Sequence, residues 1–495
     1  MNAEKYIIAL DAGTTSCRAI LFDKNLRLIA GESKEFKQIY PATGHVEHDA
    51  EEIFRVQRQV LLDLLRNYGI NATQIAAIGI TNQRETTVVW DRHDHKPVYH
   101  AIVWQCRRTE EMCLQLKKDG WQQYIHEHTG LVIDAYFSAT KIKWILDTVP
   151  GAKTRAQQGD LLFGTIDTWL LYKFTDGRVF ATDHTNASRT MLYDIRSQCW
   201  DDTLLSILDI PHSMLAKVKN SSEIYGYCTI DGVEIPIAAL CGDQQASLFG
   251  QGCFLAGDAK NTYGTGCFIL EHIGSQMRLS KNGLITTLAA SINEEISYAM
   301  EGSVFIAGAL IQWLRDEMGL LDSSAQSEVL AKKAESNGGI YIVPAFAGLG
   351  APYWDMAARG IITGITRGTN RNHLVRAALE AIAYQVNDVL VSIEKDTHIP
   401  LTQLKVDGGA SINEFLMQFQ SDISQIPIVR SQTIETTALG AALLAGLAVG
   451  FYDSAQIALS ANADASVYYP KMEATQREIL LYGWQKAIAK TRENK

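Results

Sequence analysis

The feature that most constrains this chain is a string near its start. The apolar run Tyr6 to Leu10 leads into Asp11-Ala12-Gly13-Thr14-Thr15-Ser16-Cys17-Arg18, and a second apolar run, Ala19 to Phe22, follows. Short apolar runs on either side of a glycine-bearing turn read as two strands of a hairpin. No Gly-x4-Gly-Lys-Ser/Thr occurs, so this is not a Walker loop. A turn of this composition can aim backbone N–H groups and hydroxyls at phosphate oxygens. The same residues also suit a hairpin with a polar tip, in which Asp11 accepts turn N–H bonds. Gly264-Thr265-Gly266-Cys267-Phe268-Ile269-Leu270 echoes Gly13 to Leu21. A chain of 495 residues also exceeds what one hydrophobic core usually holds. Two large domains are therefore expected, with a compact crossover near Gly250 to Gly257.

Strand-like runs (Ala76 to Ile80, Ile235 to Leu240) alternate with stretches of helical period (Glu51 to Arg66, Leu374 to Leu390), which predicts an α/β fold. A net charge of -10 without a basic run argues against a nucleic-acid surface. Tyr6 to Leu10 is too short for the core of a signal peptide. Ala438 to Phe451 carries three glycines and falls short of the roughly 20 residues of a bilayer span, so it reads as a buried helix. The eight cysteines lie between Cys17 and Cys267 with no Cys-x-x-Cys pair, which predicts free thiols in a reducing cytoplasm.

Two further turns stand at the ends of strand-like runs. Gly242-Asp243-Gln244-Gln245 opens a predicted helix, where Asp243 would serve equally as an N-cap. In Val406-Asp407-Gly408-Gly409-Ala410-Ser411-Ile412-Asn413, paired glycines permit close approach to a flat ligand, or simply a tight turn.

Together the three turns resemble the phosphate-1, phosphate-2 and adenosine elements of the actin, Hsp70 and sugar-kinase fold. Tyr136-Phe-Ser-Ala-Thr-Lys141-Ile-Lys-Trp144, Gly360-Ile-Ile-Thr-Gly364 and His373-Leu-Val-Arg-Ala-Ala-Leu-Glu380 narrow the resemblance to the FGGY family of carbohydrate kinases. Its glycerol-phosphorylating branch is matched best, through Thr81 to Thr87, Thr185 to Met191, Asn261 to Gly266, Ile311 to Glu317 and Val343 to Trp354. The resemblance covers nearly the whole chain. It implies two ribonuclease H-like (actin-like ATPase) domains flanking a cleft, residues 1–250 carrying the glycerol and phosphate-1 elements and 251–495 the adenine-nucleotide site. It further implies transfer of the γ-phosphoryl of Mg-ATP to a primary hydroxyl of glycerol, in a cytoplasmic enzyme that forms a homodimer or homotetramer.

Residue by residue, the family pattern places Arg84 and Glu85 on glycerol hydroxyls, with Trp104, Tyr136 and Phe268 as apolar wall and hydroxyl contact. Asp243 is matched to the general base and Gln244 to a neighbouring substrate contact. Asp11 is matched to Mg2+, through water. Thr14, Thr15 and Ser16 are matched to the phosphate cradle and Arg18 to the transferred group's charge. Thr265, Gly308, Gln312, Gly409 and Asn413 match nucleotide contacts. Neighbouring residues on a regular strand face opposite sides, so joint use of Arg84 and Glu85 demands irregular backbone. Two other readings stay open here: a kinase of another small polyol or ketose, and an actin-like or Hsp70-like ATPase without phosphoryl transfer.

Some family members bind fructose 1,6-bisphosphate on a Gly-rich, Arg-containing loop. The stretch here, Thr229-Ile-Asp-Gly-Val-Glu-Ile-Pro236, has no Arg and two carboxylates. Others are activated by phosphorylation of a His in this region, where Thr229 stands instead. In enteric members a late glutamate helps a carrier dock through zinc, and Gln476 takes that place as a poor ligand. Insensitivity to all three controls is expected.

Overall fold

The computed structural model describes residues 4–493 apart from 347, 356, 432, 434 and 461–464, so Ala347 of the string Val343 to Trp354 lies outside the described residues. The first apolar run forms strand β1 (Tyr6–Ala12) and returns antiparallel as β2 (Ser16–Phe22), bringing Asp11 opposite Arg18. Gly13 N–H donates to Ser16 O at 3.0 Å to close the turn. β3 (Leu28–Glu35) continues antiparallel beyond β2, and β4 (Ile75–Asn82) lies parallel to β1 on its other side. The hairpin of β5 (Ser222–Ile230) and β6 (Val233–Gly242) completes a sheet of order β5-β6-β4-β1-β2-β3.

A second sheet repeats the plan. It contains β7 (Ala259–Tyr263), β8 (Cys267–Gly274), β9 (Ile285–Leu288), β10 (Tyr298–Val304), β11 (Leu404–Asp407), β12 (Ile428–Ser431) and β13 (Ala465–Tyr468). Their order is β9-β10-β8-β7-β11-β12-β13. β7 pairs antiparallel with β8 and parallel with β11, as β1 does with β2 and β4. The echo between Gly13 and Gly264 thus marks equivalent hairpins, and the fold is two-domain α/β with mixed sheets.

Strand alternation decides what covers β1. Ile8, Leu10 and Ala12 share a core with Ile53, Val56, Val60 and Leu64 of helix α1 (Ala50–Tyr68). Ile7 and Ala9 face the other way, onto Ala438, Leu439, Ala441 and Ala442. A central strand buried on both faces reads as an unbroken apolar run, as Tyr6 to Leu10 does. The second cover belongs to helix α3 (Thr436–Ala448), which follows β12 of the second sheet yet packs on the first. It is the buried helix expected from the sequence. In turn, α2 (Asp243–Gly250), at the end of β6, packs against α3 and against β7 and β8.

Two insertions build the cleft. Residues 83–221, between β4 and β5, form a lobe with a core of its own around Phe137, Ile142 and Phe163. Residues 305–403, between β10 and β11, carry the long helix Arg371–Thr397. The β5–β6 connection is a tight turn with Asp231 and Gly232 at φ 49° and 78°, and Thr229 is already paired with Glu234. All eight cysteines are free and only Cys199 is exposed. No described helix is long and apolar enough to cross a membrane.

The α2–α3 crossing depends on glycine at its contact. A Cβ on Gly440 would lie 1.9 Å from Ala246 O, and one on Gly250 would lie 2.2 Å from Thr436 O. Both obstacles are backbone, which cannot rotate aside. We expect Gly440→Ala to lower unfolding stability by about 1–3 kcal/mol, the usual range for overpacking. Urea denaturation of the purified variant checks this; an unchanged midpoint would mean that the helices are not pressed together.

Candidate active site

Beyond Asn82 the chain leaves β4 and enters the cleft floor. Glu85 has φ 58°, in the left-handed region that a charged residue rarely adopts, and Thr86 N–H donates to Arg84 O at 2.7 Å. This is the irregular backbone that joint use of the two side chains requires. Ser138 Oγ holds the distortion by donating to Glu85 O at 2.9 Å. Arg84 Nε then lies 3.9 Å from Glu85 Oε1, both side chains being almost wholly buried.

Burying these charges requires partners, and the partners come from both halves. Arg84 Nη1 donates to Glu301 Oε2 at 2.7 Å and Nη2 to Glu301 Oε1 at 2.9 Å, a bidentate pair with a carboxylate on β10 of the second sheet. Nη1 also donates to Gln245 Oε1 at 3.0 Å. Arg189 joins the two acids, Nε donating to Glu85 Oε1 at 2.6 Å and Nη2 to Glu301 Oε1 at 3.1 Å. Burial alone would lift the Glu301 carboxyl, but the Arg189 and Arg84 charges hold it well below the usual carboxylate range. Glu85 is pushed up by burial, which Arg189 and Arg84 only partly offset.

Asp243 opens α2 but does not cap it; Gly242 occupies the N-cap position. Its Oδ1 lies 3.2 Å from Arg84 Nε and accepts from Gln244 N–H at 2.7 Å. The side chain keeps 28% of its surface open. Desolvation still raises its carboxyl above the ordinary value against the pull of Arg84 and Lys260. Gln244, expected beside the substrate, receives Lys260 Nζ on its Oε1 at 2.5 Å. Lys260 is itself buried, which pulls its ammonium down to about 8 despite Asp407 and Asp243.

Three aromatic rings form one wall. Trp104 meets Tyr136 edge to face at 5.6 Å and Phe268 at 6.1 Å between centroids. Trp104 and Tyr136 come from the first-half insertion, Phe268 from β8 of the second sheet. Lys141 of the string Tyr136 to Trp144 supports the wall from below, donating to Tyr136 O at 2.5 Å and Phe137 O at 3.0 Å. Trp104 Nε1 donates to Thr14 Oγ1 at 3.1 Å, linking the wall to the first turn.

In that turn, Asp11 is pushed up to about 7 by burial, with Arg18 opposing and the nearby Glu435 and Asp243 charges adding. A carboxyl so placed, beside two further acids, fits a site for a divalent cation. Thr14, Thr15 and Ser16 lie at the hairpin tip, Thr15 exposed. Arg18 Nη1 donates to Glu435 Oε2 at 2.6 Å, an ion pair from β2 to the residue before α3.

The other end of the cleft is a cavity of about 390 Å³ lined by Thr265, Gly308, Gln312, Gly409 and Asn413. All five residues matched to nucleotide contacts therefore meet in one place. Gly408 turns the chain there at φ 84°, and a Cβ on it would lie 2.5 Å from Tyr263 O. Asn413 caps the helix Glu414–Ser424 through Leu416 N–H, while its Nδ2 donates to Ser327 Oγ at 3.2 Å.

Glu301, Arg189, Gln245, Lys260 and Glu435 have no assigned role in the sequence reading. The available signal is a charge among apolar neighbours in a strand, as with Glu301 in Tyr298–Val304; Lys260, in the mostly polar Ala259–Tyr263, has no such signal. Such a residue must meet a partner when the strand is buried.

Comparison with known proteins follows the same division. Residues 6–250 match the N-terminal domain of the FGGY family of carbohydrate kinases, and residues 259–449 match its C-terminal domain. A glycerol kinase of Carboxydothermus hydrogenoformans is 58% identical over 493 residues, 99% of either chain. Another, of Clostridium botulinum, is 56% identical over 492 residues, again 99% of each. The crystal structure of Plasmodium falciparum glycerol kinase with ADP has a TM-score of 0.91 at 36% identity, covering 99% of this chain and 98% of that one. A xylulose kinase from Lactobacillus acidophilus shares the fold, with a TM-score of 0.86, 23% identity and coverage of 99% and 97%.

The charge cluster makes one stability effect large. Glu301→Ala leaves Arg84 and Arg189 buried without their shared carboxylate, and we expect a loss of about 3–5 kcal/mol. Denaturant unfolding measures it. A change below about 1 kcal/mol would show that water or another acid compensates the arginines.

Proposed function

Because the chain belongs to the FGGY family of carbohydrate kinases, we propose that it transfers the γ-phosphoryl of Mg-ATP to a primary hydroxyl of glycerol, giving sn-glycerol 3-phosphate and ADP. It is a phosphotransferase of the sugar-kinase class. The observation that carries the substrate reading is the buried Arg84–Glu85 pair with Asp243 at its open edge and an aromatic wall opposite. A triol needs paired donors and acceptors and an apolar surface for its carbon edge. Arg84 Nη2 has one bond for its two hydrogens among the described residues, which leaves a donor for a hydroxyl.

In this reading Asp243 accepts the proton of the attacking hydroxyl. A carboxylate is a weak base for an alcohol, but phosphoryl transfer passes through a loose transition state in which positioning and charge neutralisation dominate. Asp11 would hold Mg2+ through water, consistent with the few protein carboxylates this ion uses. The ion's contribution is neutralisation of phosphate charge. Thr14, Thr15 and Ser16 hold the phosphates, and Arg18 exchanges Glu435 for the transferred group. We assign residues 1–250 to the glycerol half and 251–495 to the nucleotide half, with Gln244 bordering the substrate from α2. Closure of the halves excludes water, without which ATP would be hydrolysed.

ADP release measured with glycerol, dihydroxyacetone, xylulose and ribulose tests the reading. Glycerol should give the highest kcat/KM, and a clear preference for a ketose would overturn the substrate assignment. Asp243→Asn keeps the shape but not the basicity, so turnover should fall on the order of 10²–10⁴ with folding intact. Near-normal glycerol phosphorylation by this variant would remove Asp243 from the reaction. The paired β5–β6 hairpin, with Asp231 and Glu234 at its turn, should repel a bisphosphate. Fructose 1,6-bisphosphate at millimolar levels should leave initial rates unchanged, and strong inhibition would contradict that expectation.

A further inference from the structure

Three segments that the reaction site does not use converge on one ring nitrogen. The helix Gln122–Thr129 carries Tyr124 and His128 four residues apart, on one face, with their rings stacked at 3.9 Å and 19°. Asp194 lies in the hairpin of Tyr193–Asp194 and Cys199–Trp200, and Asp201 caps the helix Asp202–Ile207. We propose that His128, Asp194 and Asp201 form a binding site for a divalent first-row cation of the zinc class.

The carboxylates are oriented before any ion arrives. Asp194 Oδ1 accepts from Arg196 N–H at 2.7 Å and Ser197 N–H at 3.2 Å, and Asp201 Oδ1 accepts from Leu204 N–H at 2.9 Å. Tyr124 OH donates to Asp201, at 3.1 Å to Oδ2 and 3.3 Å to Oδ1. Each acid turns its Oδ2 towards His128 Nδ1, at 3.3 Å from Asp194 and 2.9 Å from Asp201. Neither approach has the alignment of a hydrogen bond, and the buried Nδ1 has no such partner among the described residues.

Those spacings are the edges of a coordination shell. Bonds of about 2.0–2.2 Å from one ion to nitrogen and oxygen place neighbouring ligands about 3.0–3.5 Å apart. One ligand atom from each of the three residues falls within 4.8 Å of the others. Imidazole with carboxylates suits zinc, cobalt or manganese, whereas a copper(I) site would require soft thiolates. His128 keeps 28% of its side-chain surface open, although its Nδ1 is buried.

The site borders the junction of the halves. Ile195 N–H donates to His128 O at 2.9 Å, and Tyr298 OH, from β10 of the second sheet, donates to Ile195 O at 3.0 Å. A bound ion ties the helix, the hairpin and the capped helix to that contact.

Protein stripped with EDTA and titrated with Zn2+ alone, by calorimetry and thermal unfolding, tests the proposal. One equivalent per chain should bind and raise Tm. His128→Ala and Asp194→Asn should each weaken binding on the order of tenfold or more. Cys199→Ser should leave it intact, since the exposed Cys199 is the competing zinc ligand nearby. Far-UV circular dichroism of the metal-free variants separates ligand loss from misfolding. Absence of saturable uptake, or uptake unchanged by His128→Ala, would show that the triad is only an ion pair.

Discussion

The cleft floor depends on the placement of a buried acid, Glu301, between two arginines. Arg84 and Arg189 come from the first half and Glu301 from the second, with no appreciable exposure for any of their side chains. Taking such charges out of water costs several kcal/mol each, and only close mutual pairing offsets it. With Glu85 the four groups balance, two cations against two anions. Asp243 adds a third carboxylate, set against Arg84 and the buried Lys260, and it stands where the cluster meets the open cleft. Asp243 is therefore the one carboxylate of the cluster with an open side, while its neighbours have their charges matched and their geometry held.

The same pairing explains why the halves cannot be treated as independent bodies. Arg84 gains its bidentate carboxylate only when β10 of the second sheet is docked, and Phe268 of β8 reaches Trp104 across the same boundary. α2 and α3 interlock behind the cleft through glycine contacts, each helix reaching onto the other half. Any opening of the cleft must pivot about this paired floor. The Arg18–Glu435 pair, partly exposed at 39% and 33%, is the one described cross-cleft ion pair that a phosphate can disturb at low cost.

How much of this is legible in the chain depends on the range of the interaction. The β1–β2 hairpin, the helix start at Asp243 and the Gly408-Gly409 turn rest on neighbours in sequence, and local chemistry announces each one. The irregular backbone at Glu85 follows from strand parity, because no regular strand sends adjacent side chains to one side. Glu301 is different: its partner Arg84 lies 217 residues away, and in isolation it is one acid in a strand. Glu435 pairs with Arg18 across 417 residues, and the preceding sequence supplies no sign of it. Gln244 shows the converse limit. Its position beside Asp243 is visible in the string, but the buried lysine that occupies its amide oxygen belongs to another strand.

The cover of the first sheet by α3 has a consequence for synthesis. Ile7, Ala9, Ile20 and Phe22 leave the ribosome long before the helix that shields them, which ends at Ala448. At about 5–20 residues per second, that interval lasts on the order of 20–85 s. Throughout it, a face of aliphatic and aromatic side chains on a nascent sheet lacks its native partner. The first half therefore cannot reach its final packing as it emerges, and the growing chain is a natural client for chaperones that hold apolar surface until this helix has been made.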